Sequence, residues 1–367
     1  MARKLKSDRM LFLTTIALAF SGLVMVYSAS NMLTPLDGSQ TGAFLIKQLM
    51  FTALGLAVMA ATMKVNYHAY RLPTFIWAML AFTIVALVGV LLFGPRINGT
   101  RRWFHLAGVG VQPSELAKIA MVIFAAAVLE RRMDRIKEVR YALGPIAIAL
   151  VIVFTLVIKE PDFGTAVAIA VVVAIMVFAA GIPIRYLLMI GAGALPILAG
   201  VALLDRYRVE RFLIFLHPER DPLKHGFQLL QSLIAVGTGG VTGRGLGESI
   251  QKMSYLPYPH TDFIYAVTAE ELGLVGATVM LACFVILTWR GLRVASRAPD
   301  AFGSLLALGL TSMFAVQAFM NISVVLGMLP TKGIPLPFVS YGGSSLIVSL
   351  MGMGVLLNIS QQASAEG

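Results

Sequence analysis

Pro73-Thr-Phe-Ile-Trp-Ala-Met-Leu-Ala-Phe-Thr-Ile-Val-Ala-Leu-Val-Gly-Val-Leu-Leu-Phe93 runs for 21 residues without a charged side chain. A helix crossing the hydrocarbon core of a bilayer needs about 20 apolar residues at ~1.5 Å each. The stretch therefore reads as a membrane span, and the same ruler finds nine more, at 11–28, 44–63, 114–129, 142–158, 163–180, 184–204, 263–289, 301–322 and 343–360. The expected fold is all-α and polytopic: ten transmembrane helices, with the 367 residues forming one integral membrane domain. Composition agrees. The chain is 58% hydrophobic and 13% charged, against roughly 45–50% and about 25% in soluble proteins. That excludes a soluble enzyme, a disordered chain and a coiled coil. The formal charge of +11 reflects topology and lipid headgroups rather than nucleic acid. With Cys283 as the single cysteine, no intramolecular disulfide can form.

An even number of spans puts both termini on one side. The densest short basic clusters are Arg131, Arg132, Arg135, Lys137 and Arg140, and Arg290, Arg293 and Arg297. Short basic loops stay cytoplasmic, so both termini are expected in the cytoplasm. The basic start (Arg3, Lys4, Lys6, Arg9) with the first apolar run is then a retained signal-anchor. The outer face holds loops 94–113 and 323–342 and a long one, 205–262, between helices 7 and 8. That loop carries 6 of the 18 acidic residues and 3 of the 5 histidines. Any chemistry is expected there.

Charged groups beside a bilayer are costly unless paired or functional. Glu115 and Lys118 open the fourth span at i,i+3 spacing; they read equally as a structural ion pair and as a ligand site. Arg96, Arg101 and Arg102 with Trp103 form a basic-aromatic interfacial stretch, and Arg206, Arg208 and Arg211 form a second basic set. Headgroup anchoring explains either set, while two sets near one cavity would suit a pyrophosphate. Lys159-Glu-Pro-Asp162 reads as a solvated turn, and Gly237–Gly247 as a tight, irregular connection after a short interfacial helix. At least one of Glu270 and Glu271 should face the bundle interior. The prolines at 330, 335 and 337 predict a rigid, non-helical loop before the last helix. No metal-ligand spacing and no G-x-S-x-G elbow occur.

Four motifs in matching order resemble the SEDS family (shape, elongation, division and sporulation; FtsW and RodA types). They are Asn98-Gly-Thr-Arg-Arg-Trp103, Gln112-Pro-Ser-Glu-Leu-Ala-Lys118, Leu256-Pro-Tyr-Pro-His-Thr-Asp-Phe-Ile-Tyr-Ala-Val-Thr-Ala-Glu-Glu-Leu-Gly273 and Leu329–Ser345. Gly245-Leu-Gly-Glu-Ser-Ile-Gln-Lys252 and Leu329-Pro-Thr-Lys-Gly333 look more like the FtsW type, features that sporulation members share. Tyr258 departs from the pattern, standing where the family often has an acidic residue.

The resemblance implies a peptidoglycan glycosyltransferase of the bacterial cytoplasmic membrane that polymerises lipid II on the outer face. It also implies a class B penicillin-binding protein as partner, beside other division or elongation membrane proteins. On spacing alone Asp262 would be a helix N-cap; the family match at His260-Thr-Asp262 makes it the catalytic general base. Glu115, Lys118, Arg101, Arg102, Arg208, Arg211, His260, Lys332 and Ser340 are the expected substrate-binding residues. No cofactor is expected, although a divalent cation beside the pyrophosphate is chemically reasonable. Two other functions remain open at this level: a lipid II flippase, and a scaffold for the penicillin-binding protein.

Overall fold

A computed structural model describes residues 7–30, 41–97, 99–106, 109–136, 138–203, 209, 213–215, 226–252, 256–257, 259–330 and 333–363. Its helices are α1 (Arg9–Ser30), α2 (Thr41–Lys64), α3 (Pro73–Phe93), α4 (Pro113–Arg131), α5 (Val139–Lys159), α6 (Phe163–Ala179), α7 (Ile184–Leu203), α8 (Phe227–Thr238), α9 (Ile264–Ser296), α10 (Ala301–Val325) and α11 (Gly343–Ala363). A two-stranded antiparallel ribbon, β1 (Phe104–Leu106) and β2 (Val109–Val111), joins α3 to α4, with Phe104 opposite Val111.

Every apolar run expected to span coincides with a helix. By length and composition, seven among the described residues are long and apolar enough to cross a membrane. The shortfall against ten has local causes. In α4, Glu115, Lys118, Glu130 and Arg131 dilute the apolar run at both ends, and α6 is 17 residues long.

The centre of the bundle is built from α4, α10 and α11. Of the apolar windows in α10 and α11, 78% is buried, against 28% in α3 and α9. Small residues permit that centre, because helices in lipid gain from close backbone approach rather than from expelling water. A Cβ on Gly309 of α10 would stand 2.6 Å from Val122 of α4 and 2.7 Å from Met176 of α6. The outer helices turn apolar flanks outward, with Phe20, Phe82, Val85 and Ile148 each more than 60% exposed. Only a lipid environment accepts such a surface. Ion pairs tie one end of the bundle: Asp8 with Arg290, Arg71 with Glu130, and Asp300 with His68. The opposite end carries the β1–β2 ribbon and the loop between α10 and α11.

Candidate active site

Asp262 lies immediately before α9, whose N-cap position falls on Phe263, one residue later than the helix-cap reading of Asp262 requires. The backbone around it is held by the loop between α10 and α11. The Tyr341 amide donates to the His260 carbonyl (2.9 Å) and the Ser340 hydroxyl to the Thr261 carbonyl (2.6 Å). The Asn321 amide group donates to the carbonyls of Asp262 (2.8 Å) and Ile334 (2.7 Å). Three successive residues are thus stitched to one loop. That loop is non-helical from Gly333 to Gly342 and holds Phe338 at φ 66°, a strained conformation for a bulky residue. Its ring packs on Phe314 at 5.1 Å, and the Ser340 hydroxyl also accepts from the Leu336 amide (2.7 Å). Gly333 faces the Asp262 carboxylate: a Cβ there would stand 2.9 Å from Oδ2. The absent side chain leaves the carboxylate its room.

The His260 ring sits between Phe44 and Tyr341, with centroids at 5.5 and 5.6 Å. Burial holds its imidazole below the ordinary histidine range, so the ring is neutral at pH 7. Its buried Nδ1 has no hydrogen-bond partner among the described residues.

One helical turn before Asn321, Gln317 connects a second polar group to the same loop. Lys118 Nζ donates to Gln317 Oε1 (2.6 Å) and lies 3.0 Å from Glu115 Oε2, while Gln317 Nε2 donates to the Pro335 carbonyl (2.8 Å). Lys118 and Glu115 are both buried. The ion pair is off-axis, leaving Glu115 Oε2 without a well-directed donor. Asn321 and Gln317 share one face of α10, so Asp262 and Lys118 are coupled through two amide side chains and residues 334–335.

The two arginines before the ribbon have other work. Arg101 donates to the Leu91 and Leu92 carbonyls at the end of α3, and Arg102 to the Glu160 and Pro161 carbonyls in the α5–α6 turn. Each guanidinium pins a helix end, as cations at C-termini do. That turn corrects the solvated reading of residues 159–162. Glu160 is fully buried and Asp162 nearly so, with Asp162 capping α6 through the Thr165 amide and accepting from Gln112 Nε2 (3.1 Å). Among the described residues neither Glu160 carboxyl oxygen has a donor. Its pKa is pushed up to about 9, first by burial and then by Asp162, with Arg102 opposing.

That pKa has a sign for stability. The unfolded chain releases the proton near 4.5 and the folded chain near 9, so between those values the native state binds more protons and stability falls as pH rises. Glu160→Gln carries no proton to lose. The melting temperature of the detergent-solubilised variant should match wild type near pH 5 and exceed it near pH 8. Parallel melting curves across that range would show that Glu160 is charged in the fold.

The glycine-rich segment is more than a connection. Gly273 (φ 66°, ψ −164°) breaks α9, and the 239–245 segment supplies the hydrogen bonds the break forfeits. Leu274 and Val275 amides donate to the Gly240 and Val241 carbonyls, while Arg244 and Gly245 amides donate to the Glu270 and Glu271 carbonyls. Interrupted helices in lipid need such replacement partners. Both carboxylates of the break are buried and satisfied. Glu271 meets Lys252 Nζ (2.7 Å) and the Ser28 hydroxyl (2.6 Å); Glu270 takes the Ser249 hydroxyl (2.5 Å) and the Ile250 amide (3.0 Å). They act as a structural clamp.

The structure therefore gathers Asp262, His260, Ser340, Lys118 and Glu115 about one face of α10 and the loop after it, and sets Arg101 and Arg102 apart as helix-end pins. Arg208, Arg211 and Lys332 lie outside the described residues. Sequence reasoning missed Gln317, Asn321 and Gly333. The signal for the first two was present, since amide side chains inside an apolar helix mark interhelical hydrogen bonds. Among the described residues no three His, Cys, Asp or Glu side chains stand together as a metal group would require.

A bundle with lipid-facing apolar flanks and a buried polar site under a clasped loop defines a multi-pass membrane protein. The profile of the cell cycle protein family FtsW/RodA/SpoVE matches residues 8–365. The chain belongs to that family, the SEDS proteins. It is 43% identical over 356 residues to a probable peptidoglycan glycosyltransferase FtsW of Geobacter sulfurreducens, covering 96% of this chain and 95% of that one. It is 40% identical to the stage V sporulation protein E of Bacillus subtilis, over 98% of both chains. Among solved structures, a chain described under structural coordination of polymerization and crosslinking by a peptidoglycan synthase complex superposes with a TM-score of 0.80 at 31% identity, over 98% of this chain and 99% of that one. The rod shape determining protein RodA of Thermus thermophilus superposes with a TM-score of 0.71 at 29% identity, over 97% of each. Within the family the chain stands closer to FtsW.

Proposed function

We propose that the chain is a peptidoglycan glycosyltransferase that polymerises lipid II at the outer surface of the bacterial cytoplasmic membrane. In this reading all ten apolar helices cross, both termini are cytoplasmic, and residues 260–262 meet the 333–342 loop outside. A class B penicillin-binding protein would cross-link the product, in line with the peptidoglycan synthase complex among the similar structures. The observation that carries the reading is Asp262, whose carboxylate sits in the space Gly333 leaves and whose backbone is held by Asn321 at its own carbonyl and by Ser340 at the Thr261 carbonyl.

Glycan extension requires an acceptor hydroxyl to attack the anomeric carbon of the donor. The hydroxyl is a weak nucleophile, and Asp262 takes its proton as the new bond forms. Pyrophosphate leaves with the electron pair and needs no acid of its own if cations stabilise it. Lys118 is the described candidate for that charge, held by Glu115 and Gln317; Arg208, Arg211 and Lys332 remain candidates from sequence. His260 contributes a neutral ring packed beside the Asp262 backbone.

The function is tested with the purified protein and its partner in liposomes containing fluorescent lipid II. Glycan polymer supports the transferase. Movement of label between leaflets without polymer would mean a flippase, and neither, with the complex intact, a scaffold. A sharper test of the geometry is Gly333→Ala. The added methyl must displace the carboxylate, and misplacing a catalytic group by about 1 Å costs up to ~10²-fold. Turnover should fall toward that value with the melting temperature nearly unchanged. Wild-type turnover in a folded variant would place the working carboxylate elsewhere.

A further inference from the structure

An apolar cleft of about 280 Å³ lies between α6 and α10 beneath the loop that holds Asp262. Val167 and Val171 form one wall, Val316 and Phe319 the other, and Pro330 and Ile334 the roof; every lining side chain among the described residues is apolar. It opens through the lipid-facing flank, where Phe319 is 63% exposed and Val171 39%. Its roof is continuous with the site. Ile334 follows Gly333, the residue against the Asp262 carboxylate, and Asn321 bonds the carbonyls of both Ile334 and Asp262.

We infer that this cleft seats the pyrophosphate-proximal segment of a polyprenyl chain, that of a polyprenyl-pyrophosphate-linked saccharide, and so sets the headgroup at Asp262. The assignment rests on the glycosyltransferase reading. Three features select the occupant. The cleft is open to the bilayer along its side and ends at the roof, which suits an amphiphile entering laterally with its polar head at the end of the bundle. An apolar cavity near 150 Å³ accepts a benzene-sized ligand, so this one takes roughly two branched five-carbon units of one chain and not the paired chains of a phospholipid. The valine, isoleucine and proline side chains of the lining are stiff and, beside the more adaptable Met320 and Leu329, offer fixed niches to a chain whose methyl branches recur at regular intervals.

The energetics set its role. A chain moving from lipid into an apolar cleft gains almost nothing from the hydrophobic effect, since the bilayer is as apolar as the wall. Contact by dispersion and shape remains. The cleft therefore positions its occupant more than it tightens binding, and blocking it should lower kcat more than it raises KM.

The test places benzoylphenylalanine at Phe319, and separately at Val85 on the lipid-facing flank of α3, in the full chain with its partner. Both are reconstituted in phosphatidylethanolamine–phosphatidylglycerol vesicles containing tritiated undecaprenyl pyrophosphate. Labelling several-fold stronger at 319 than at 85, competed by unlabelled undecaprenyl pyrophosphate and not by added phospholipid, supports the assignment. Equal labelling at the two positions, cross-links to phospholipid alone, or an intramolecular cross-link from 319 overturns it. Val316→Phe, which fills the cleft, should lower polymerisation kcat several-fold with KM and melting temperature near wild type; unchanged kcat overturns the positioning role. Wild-type polymerisation in the same vesicles is scored separately. Its absence would remove the transferase reading, while its presence with even labelling would remove only the cleft.

Discussion

Asp262→Asn is expected to fold, bind its partner and lipid II, and polymerise about 10²–10⁴-fold more slowly than wild type, the usual contribution of a positioned general base. The substitution preserves shape and the backbone carbonyl that Asn321 holds. It removes only the ability to take a proton. If Asp262 served the helix start alone, asparagine would do nearly as well, because the two cap equivalently, and polymerisation would persist. The measurement is glycan formation from labelled lipid II, with melting temperature and partner co-purification as controls. Near-normal polymerisation by a folded variant would move the base to another carboxylate, with Glu115 the next candidate.

Gly273→Ala should damage the fold as severely as Asp262→Asn damages turnover. At φ 66° and ψ −164° the backbone is in glycine territory, where a side chain costs about 1–3 kcal/mol. The new Cβ would also stand 2.3 Å from the Gly243 amide nitrogen and 2.5 Å from the Val241 carbonyl oxygen, and overpacking adds roughly 1–3 kcal/mol. Together these come to roughly 2–6 kcal/mol, a large part of the stability of a domain at the lower end of the usual range of about 5–15 kcal/mol. Little monodisperse protein should survive gel filtration in detergent. Gly240→Ala is the matched control: φ is 55° there, but no atom lies within 4 Å of the added carbon. It should lose only the strain, a few degrees of melting temperature. Equal behaviour of the two variants would mean that the glycine segment does not plug the broken helix.

Much of this protein is legible from sequence because the bilayer imposes a local rule. About 20 apolar residues must follow one another, so Pro73–Phe93 or Gly343–Ala363 can be read without knowing any neighbour. Prolines 330, 335 and 337 forbid a helix by covalent geometry alone, and the loop is non-helical where it is described. Asp262 was legible through the motif around it, since its neighbours in space include its neighbours in chain.

What the tertiary structure decided is which polar groups are buried and with whom they pair. Lys159–Asp162 has the composition of a solvated turn, yet Glu160 and Asp162 are enclosed by packing from the ribbon segment and Gln112. Gly237–Gly247 has the composition of a tight, irregular connection, yet it completes a helix interrupted almost 30 residues later. Gln317 and Asn321 are two amides in an apolar run until α4 and the 333–335 segment arrive beside them. The physical reason is the same in each case. Span formation depends on the transfer of consecutive residues into lipid, an additive and local quantity. Pairing depends on contacts such as Ser28 with Glu271 or Lys118 with Gln317, whose partners lie about 200 positions or more apart. Local pattern carries no record of that geometry, and only the packed bundle supplies it.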